Sequence, residues 1–183
     1  MTSLGLFVSE LVRTPRTIAA LAPSSVHLAR EMVVGIGPRT GPVAEFGPGT
    51  GVFTRALLDA GVAPQDLTLF EVNPAFAAHL RAAFPGVRVV NEGAQTIDVH
   101  CPDGVSAIVS GMPILSFPAA LNRAIFTASL RVLRPGGMIR QFTYGPKSPL
   151  PESIRAELDL TYTFGPRIWR NLPPARVYTY RRG

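Results

Sequence analysis

The chain has 183 residues, is 46% hydrophobic and carries a formal net charge of +6. That length supports one domain with a real core, and that apolar content excludes a disordered chain. The single cysteine, Cys101, excludes an internal disulfide and any multi-cysteine metal site, and His27, His79 and His100 form no close ligand pair, so no metal is expected.

No apolar run approaches the roughly 20 residues that span a bilayer. The first residues lack a basic-then-apolar export signal with a small-residue cleavage site, so a cytoplasmic protein is expected. Lys147 is the only lysine, so the positive charge is almost all guanidinium, which grips phosphate through a planar fork. A basic balance suits nucleic acid or anionic lipid, although genomic base bias produces the same excess.

In chain order, Leu4, Phe7, Val8, Leu11 and Val12 fall at helical spacing, flanked by Arg13 and Arg16. Thr14-Pro15 ends that segment. Pro23-Ser24-Ser25 offers a cap for a second helix holding Leu28 and Met32. Residues 1–34 thus read as amphipathic and capping helices, and 35–41 as a loop. From Pro42 strands and helices alternate. Strands are predicted at 43–46, 67–71, 87–90, 106–110 and 137–144, and helices at 52–60, 74–84 and 119–133. The turn Arg134-Pro135-Gly136-Gly137 is expected to precede the fifth strand. Residues 158–164 and 176–180 are expected to form a terminal antiparallel pair. This alternation predicts an α/β domain with a Rossmann-like seven-stranded sheet, mostly parallel with an antiparallel last strand, flanked by helices. No second domain is expected, and 42–181 forms the core.

The segment Glu45-Phe46-Gly47-Pro48-Gly49-Thr50-Gly51 lies between a strand and a helix. Glycines there allow positive φ and close approach of backbone to a ligand, and the helix that follows favours an anionic group. Glu71 ends the second strand, 20 residues beyond Gly51, where a carboxylate meets both ribose hydroxyls. Glu92-Gly93-Ala94 follows the third strand, at the place of an adenine edge. A dinucleotide frame starting at Gly47 puts Val52 at its third glycine, and Glu45 would repel a pyrophosphate but receive an ammonium.

From Pro42 to Tyr180 these motifs resemble the class I S-adenosylmethionine-dependent methyltransferases. The resemblance implies S-adenosyl-L-methionine as cofactor, with Gly47, Pro48, Gly49, Thr50 and Gly51 under its methionine part. It implies Glu71 on ribose, Val72 beside adenine, and Glu92, Gly93 and Ala94 at the adenine edge, while Glu45 is placed to receive the ammonium through backbone or water. Ser25 and Ser110 complete the expected cofactor set, although Ser24 and Ser25 also read as a helix cap.

Four segments carry a narrower resemblance over almost the whole length: Ala22-Pro23-Ser24-Ser25, the glycine loop, Ser110-Gly111-Met112-Pro113, and Trp169-Arg170-Asn171-Leu172-Pro173-Pro174-Ala175. They are similar to the short bacterial phospholipid N-methyltransferases, which carry phosphatidylethanolamine towards phosphatidylcholine. Ornithine-lipid N-methyltransferases and ribosomal-RNA adenine dimethylases share the architecture. The expected partners are therefore a phospholipid and an anionic membrane surface, met through the first helix, on the inner face of the cytoplasmic membrane. Nucleic acid is disfavoured: Ser110 stands where base methylases place an amide or carboxylate, and no aromatic follows Pro113. Asn171-Leu172-Pro173-Pro174 looks like that motif but follows the fifth strand. No obligate protein partner is evident.

For the acceptor, Ser110, Tyr144 and Tyr178 are the candidates to orient the amine or relay its proton. Met112, Trp169, Arg170, Asn171, Tyr178 and Tyr180 are the candidate lipid-binding residues, with Arg170 on the lipid phosphate. A plainer reading pairs Arg170 with Glu157.

Overall fold

Residues 26–183 are described by a computed structural model. The first helix of the sequence reading and Ser25 lie outside the described residues. The elements are α1 (Val26–Met32), β1 (Val43–Phe46), α2 (Val52–Asp59), β2 (Leu67–Phe70), α3 (Pro74–Ala83), β3 (Arg88–Val90), α4 (Ile97–His100), β4 (Val105–Ser110), α5 (Ala119–Val132), β5 (Leu133–Thr143), α6 (Glu152–Glu157), β6 (Leu160–Phe164) and β7 (Arg176–Arg182). Seven strands pair in the order β3-β2-β1-β4-β5-β7-β6. The first five are mutually parallel, and β7 runs antiparallel to both β5 and β6.

β1 is buried at all four positions, as expected for a central parallel strand covered on both faces. Its alternate residues feed two cores. Ala44 and Phe46 join Ile108, Ile139, Tyr178 and Tyr180 beneath Leu121, Ile125 and Phe126 of α5. Val43 joins Leu69, Val109 and Val177 beneath Leu28 and Met32 of α1 and Phe53 and Leu57 of α2. The spacing of these helical residues, one turn apart, is the apolar stripe that the sequence displays.

α1 is tied to the sheet by Arg140 of β5. Its guanidinium donates to the Glu31 carbonyl at 3.1 Å and to the Val34 carbonyl, so a buried cation closes the carboxyl end of the helix.

The structure corrects the sequence reading at the fifth strand. The expected turn at 134–137 lies inside β5, which already pairs at Leu133 with Val105. Pairing then breaks and resumes at Ala107 with Met138. Gly136 at φ +76° absorbs the extra length as a bulge. The short helices α4 and α6 were not anticipated, because four to six residues carry too little periodicity to read.

Strand order reverses between β1 and β4, which opens a crevice at their carboxyl ends. At that rim the register places Phe70, Phe46, Ser110, Gln141, Tyr178 and Phe164 side by side across six strands. The loop from β6 to β7 returns at the same rim, because β7 runs the other way.

Candidate active site

The loop after β1 holds three glycines with positive φ: Gly47 at +65°, Gly49 at +55° and Gly51 at +85°. A Cβ on Gly47 would sit 3.0 Å from Met112 Cγ, and one on Gly51 would sit 2.4 Å from the Phe84 ring. A Cβ on Gly49 would meet nothing within 4 Å. Two glycines therefore let the loop pack, and the middle one faces open space at the crest.

Glu71 latches this crest. Its Oε2 accepts the Gly49 N–H at 3.1 Å and its Oε1 accepts the Asn73 N–H at 2.8 Å. Burial pushes its carboxyl above the usual range, and these N–H donors oppose the rise. The Val72 N–H also bonds this carboxyl, and the lone-pair capacity that remains can receive a ribose hydroxyl. Asn73 caps α3 by accepting the Ala75 N–H at 2.9 Å, and Asn91 Nδ2 donates to the Glu71 carbonyl at 2.6 Å. Both supports were missed in the sequence, although Asn73-Pro74 is a readable helix start.

Glu45 is fully buried on the α2 side of β1. Thr54 Oγ1 donates to its Oε2 at 2.7 Å, whereas Oε1 has no hydrogen-bond partner. Burial pushes the carboxyl up to about 8, with the nearby Glu71 charge adding and the Thr54 hydroxyl opposing. An orphaned buried carboxyl oxygen suits a cationic ligand group. Together with the open crest at Gly49 and the remaining lone-pair capacity of Glu71, it fits the ribose of S-adenosylmethionine and, through backbone or water, its ammonium.

The raised carboxyl has a consequence for stability. The folded state holds the Glu45 proton more tightly than the unfolded chain, where a carboxyl titrates near 4.5. The ligand-free protein should therefore lose stability as pH rises from about 4.5 through about 8. Glu45→Gln keeps an acceptor for Thr54 and removes the ionisation. Urea unfolding at pH 6 and pH 8.5 should show a smaller loss for the variant than for the parent, and equal losses would contradict the assignment.

At the adenine side, Val72 is partly exposed and Ala94 is a core residue. The exposed Glu92 bonds His100 Nε2 at 3.1 Å, and that hydrogen bond holds its carboxyl below the usual range. Gly93 precedes a helical turn at Ala94–Thr96.

At the acceptor side, the buried Ser110 Oγ accepts the Met112 N–H at 3.4 Å and shapes the turn after β4. Met112 packs over Gly47, linking that turn to the glycine loop. Gln141, absent from the sequence reading, is buried beside Ser110 in register. Its Nε2 donates to the carbonyls of Met112 at 2.9 Å and Phe142 at 3.0 Å, and its Oε1 has no hydrogen-bond partner. A glutamine within an apolar strand run was the one available signal.

Tyr144 and Tyr178 are not brought together. Tyr178 is buried on the α5 side, its hydroxyl donating to the Pro146 carbonyl at 3.4 Å. Tyr144 packs on the opposite side against Phe142 and bonds the Asn171 side chain. Burial raises the Tyr144 hydroxyl above its ordinary value, so it stays a phenol at neutral pH. Tyr180 pairs with Ile139, away from the rim. It bonds Ser148 at 2.7 Å and packs edge-on against Phe126, which makes it a core residue.

Trp169 and Arg170 are exposed on the β6–β7 loop, whereas Asn171 is buried and donates to the Pro173 carbonyl at 2.7 Å. Glu157 is taken by Arg123 at 2.8 Å, which removes the partner that the plainer reading gave Arg170. A hollow of about 730 Å³ at the opposite rim, lined by Arg39, Thr40, Ser106 and Pro135 among others, holds no acidic residue. Among the described residues no group of three or more acidic, histidine or cysteine side chains is placed to hold a metal.

A family model described as a methyltransferase domain matches residues 43–137. An ornithine lipid N-methyltransferase of Singulisphaera acidiphila is 32% identical over 189 aligned positions, covering 99% of this chain and 97% of that protein. Solved structures share the fold. The 1,6-didemethyltoxoflavin-N1-methyltransferase of Burkholderia thailandensis, holding its substrate and S-adenosylhomocysteine, superposes with a TM-score of 0.73 at 14% identity, over 98% of this chain and 88% of that one. The glycopeptide N-methyltransferase MtfA with S-adenosylmethionine gives 0.70 at 14% identity, over 88% and 96%.

Proposed function

The chain belongs to the S-adenosylmethionine-dependent methyltransferases, and from that membership we propose that it methylates the headgroup amine of a membrane lipid. The observation that carries this reading is the end-to-end relation to an ornithine lipid N-methyltransferase. That relation favours ornithine lipid as acceptor. Phosphatidylethanolamine is the second reading, favoured by the resemblance of the Trp169–Ala175 segment. Both headgroups place a primary amine close to an anion.

When bound, S-adenosylmethionine supplies a methyl group on a sulfonium. The chain's own residues do the rest. Gly49 leaves room for the methionine part, Glu45 receives its ammonium through backbone or water, Glu71 holds the ribose, and Val72 flanks the adenine. Ser25, beyond the described residues, stays a proposed contact. Ser110 and Gln141 hold the turn at Met112 that borders the acceptor. The amine must reach the site without its proton. An ammonium of pKa near 10 costs roughly 4 kcal/mol to deprotonate at pH 7, a cost that exclusion of water at the rim lowers. Neither tyrosine is placed as a base, since Tyr144 stays protonated and Tyr178 donates to Pro146. The headgroup's own anion is the proposed proton acceptor.

Arg170 is the proposed grip on that anion. Among the described residues no helix is long and apolar enough to cross a membrane, so access to lipid is proposed from the surface, with the Leu4–Val12 face as one anchor.

The test is incubation with methyl-labelled S-adenosylmethionine and ornithine lipid vesicles, phosphatidylethanolamine vesicles or RNA. Label should enter one of the lipids. Label in RNA with none in either lipid would overturn the reading. Arg170→Ala should raise the KM for lipid about tenfold or more, as expected for losing a charged hydrogen bond, with cofactor affinity unchanged. Arg170→Lys should restore only part, since an ammonium keeps the charge and loses the fork.

A further inference from the structure

We propose that the rim bearing the glycine loop is also the membrane-contacting surface, with the tip of the β6–β7 loop, Trp169 to Leu172, entering the interface of an anionic bilayer. The proposal rests on the lipid reading above and concerns where the protein touches the bilayer.

Trp169 is 74% exposed and Leu172 is 80% exposed. Large apolar side chains held this far into water mark a contact surface when they cluster. The tip is braced. Ile168 and Ala175 bridge its base, with the Ile168 N–H donating to the Ala175 carbonyl at 2.7 Å. The side chain of Asn171 ties the tip inward to Pro173 and to Tyr144. The exposure is therefore built into a held turn.

The charge around the tip selects its occupant. Arg167 and Arg170 flank Trp169, and no acidic residue occurs from Gly165 to Gly183. The Arg167 guanidinium lies 5.3 Å from the centre of the indole ring. An indole with guanidinium neighbours matches the boundary of an anionic bilayer, where the ring sits at headgroup depth and the cations meet the surface charge. Leu115, 64% exposed, stands on the turn after β4 at the same rim. With this rim against the bilayer, a headgroup amine reaches the space above Ser110 and Gln141 while its acyl chains stay in the membrane.

Trp169 is the only tryptophan in the chain, so its emission reports on this tip alone. The experiment titrates the full-length protein with phosphatidylglycerol vesicles, with phosphatidylcholine vesicles, and with phosphatidylglycerol vesicles brominated in the acyl chains. Phosphatidylglycerol should shift the emission to the blue, the brominated lipid should quench it, and phosphatidylcholine should do much less. Leu172→Glu should weaken vesicle binding at least tenfold and leave methylation of a monomeric short-chain amino lipid unchanged. Cosedimentation with phosphatidylglycerol vesicles without any emission change would overturn the proposal and spare the lipid reading. Emission already blue without vesicles and unmoved by them would also overturn it, because another part of the chain or a second copy then covers the tip. A blue shift and quenching with no amino lipid methylated would support the contact and sink the lipid reading.

Discussion

Glu71→Ala is expected to weaken S-adenosylhomocysteine binding by about two orders of magnitude. The carboxylate keeps lone-pair capacity for a ribose hydroxyl beside the N–H groups that it already accepts, and a hydrogen bond to a charged group is worth roughly 1.5–3 kcal/mol. The substitution also strips the acceptor from the N–H groups of Gly49 and Asn73. An unpaired buried donor costs roughly 1–3 kcal/mol, so stability should fall as well. Glu71→Gln separates the two effects, since the amide oxygen still accepts one N–H while the charge is gone. It should recover part of the stability and little of the affinity. Calorimetric titration and thermal unfolding on the same samples read both quantities. Wild-type affinity in a folded Glu71→Ala protein would remove Glu71 from the ribose site.

Gly51→Ala is expected to be the most destabilising single change in the glycine loop. Its Cβ would lie 2.4 Å from Phe84 Cε2 and 2.7 Å from Cζ. Phe84 has little freedom to withdraw, because it is buried in the core and Arg55 sits 4.8 Å above its ring. Crowding of this kind costs roughly 1–3 kcal/mol. The left-handed backbone at φ +85° adds roughly 1–2 kcal/mol for any residue with a Cβ. For a domain of this size each kcal/mol lowers the Tm by roughly 2–4 °C, so a drop of about 4–20 °C is expected. Gly49→Ala is the contrasting variant. It pays the backbone strain alone, since its Cβ meets no protein atom within 4 Å, yet it intrudes on the space assigned to the cofactor. It should lose more affinity than stability. A Gly51→Ala protein melting within a degree of the parent would show that Phe84 yields easily.

Local chemistry by itself determined the strands, the glycine loop and the acidic end of β2. The run Val43–Phe46 reads as a buried strand because Val43 on one face and Ala44 and Phe46 on the other are apolar, with Glu45 the exception that marks the site. The glycines read as a ligand loop because positive φ is cheap only without a Cβ. Glu71 reads as a site residue because the span from the loop is set by one helix and one strand. The same locality explains the misreading at 134–137, where Pro-Gly-Gly is equally good as a turn or as a bulge, and only pairing of Leu133 with Val105 decides.

Tertiary structure alone decided which side chains meet. Thr54 reaches Glu45 only because α2 folds back over β1. Gln141 reaches Met112, 29 residues away, only through the register of β5 on β4. A shift of one residue in that register would have sent Gln141 to the opposite face. Tyr144 and Tyr178 look equivalent in the sequence and lie on opposite faces of the sheet, and Tyr180, one pleat from Tyr178, turns out to be core. Trp169 could have been core or surface on its apolar character. It is exposed on the loop that the bridge between Ile168 and Ala175 closes. Burial and pairing depend on contacts between distant segments, and those contacts have no signature within any one of them.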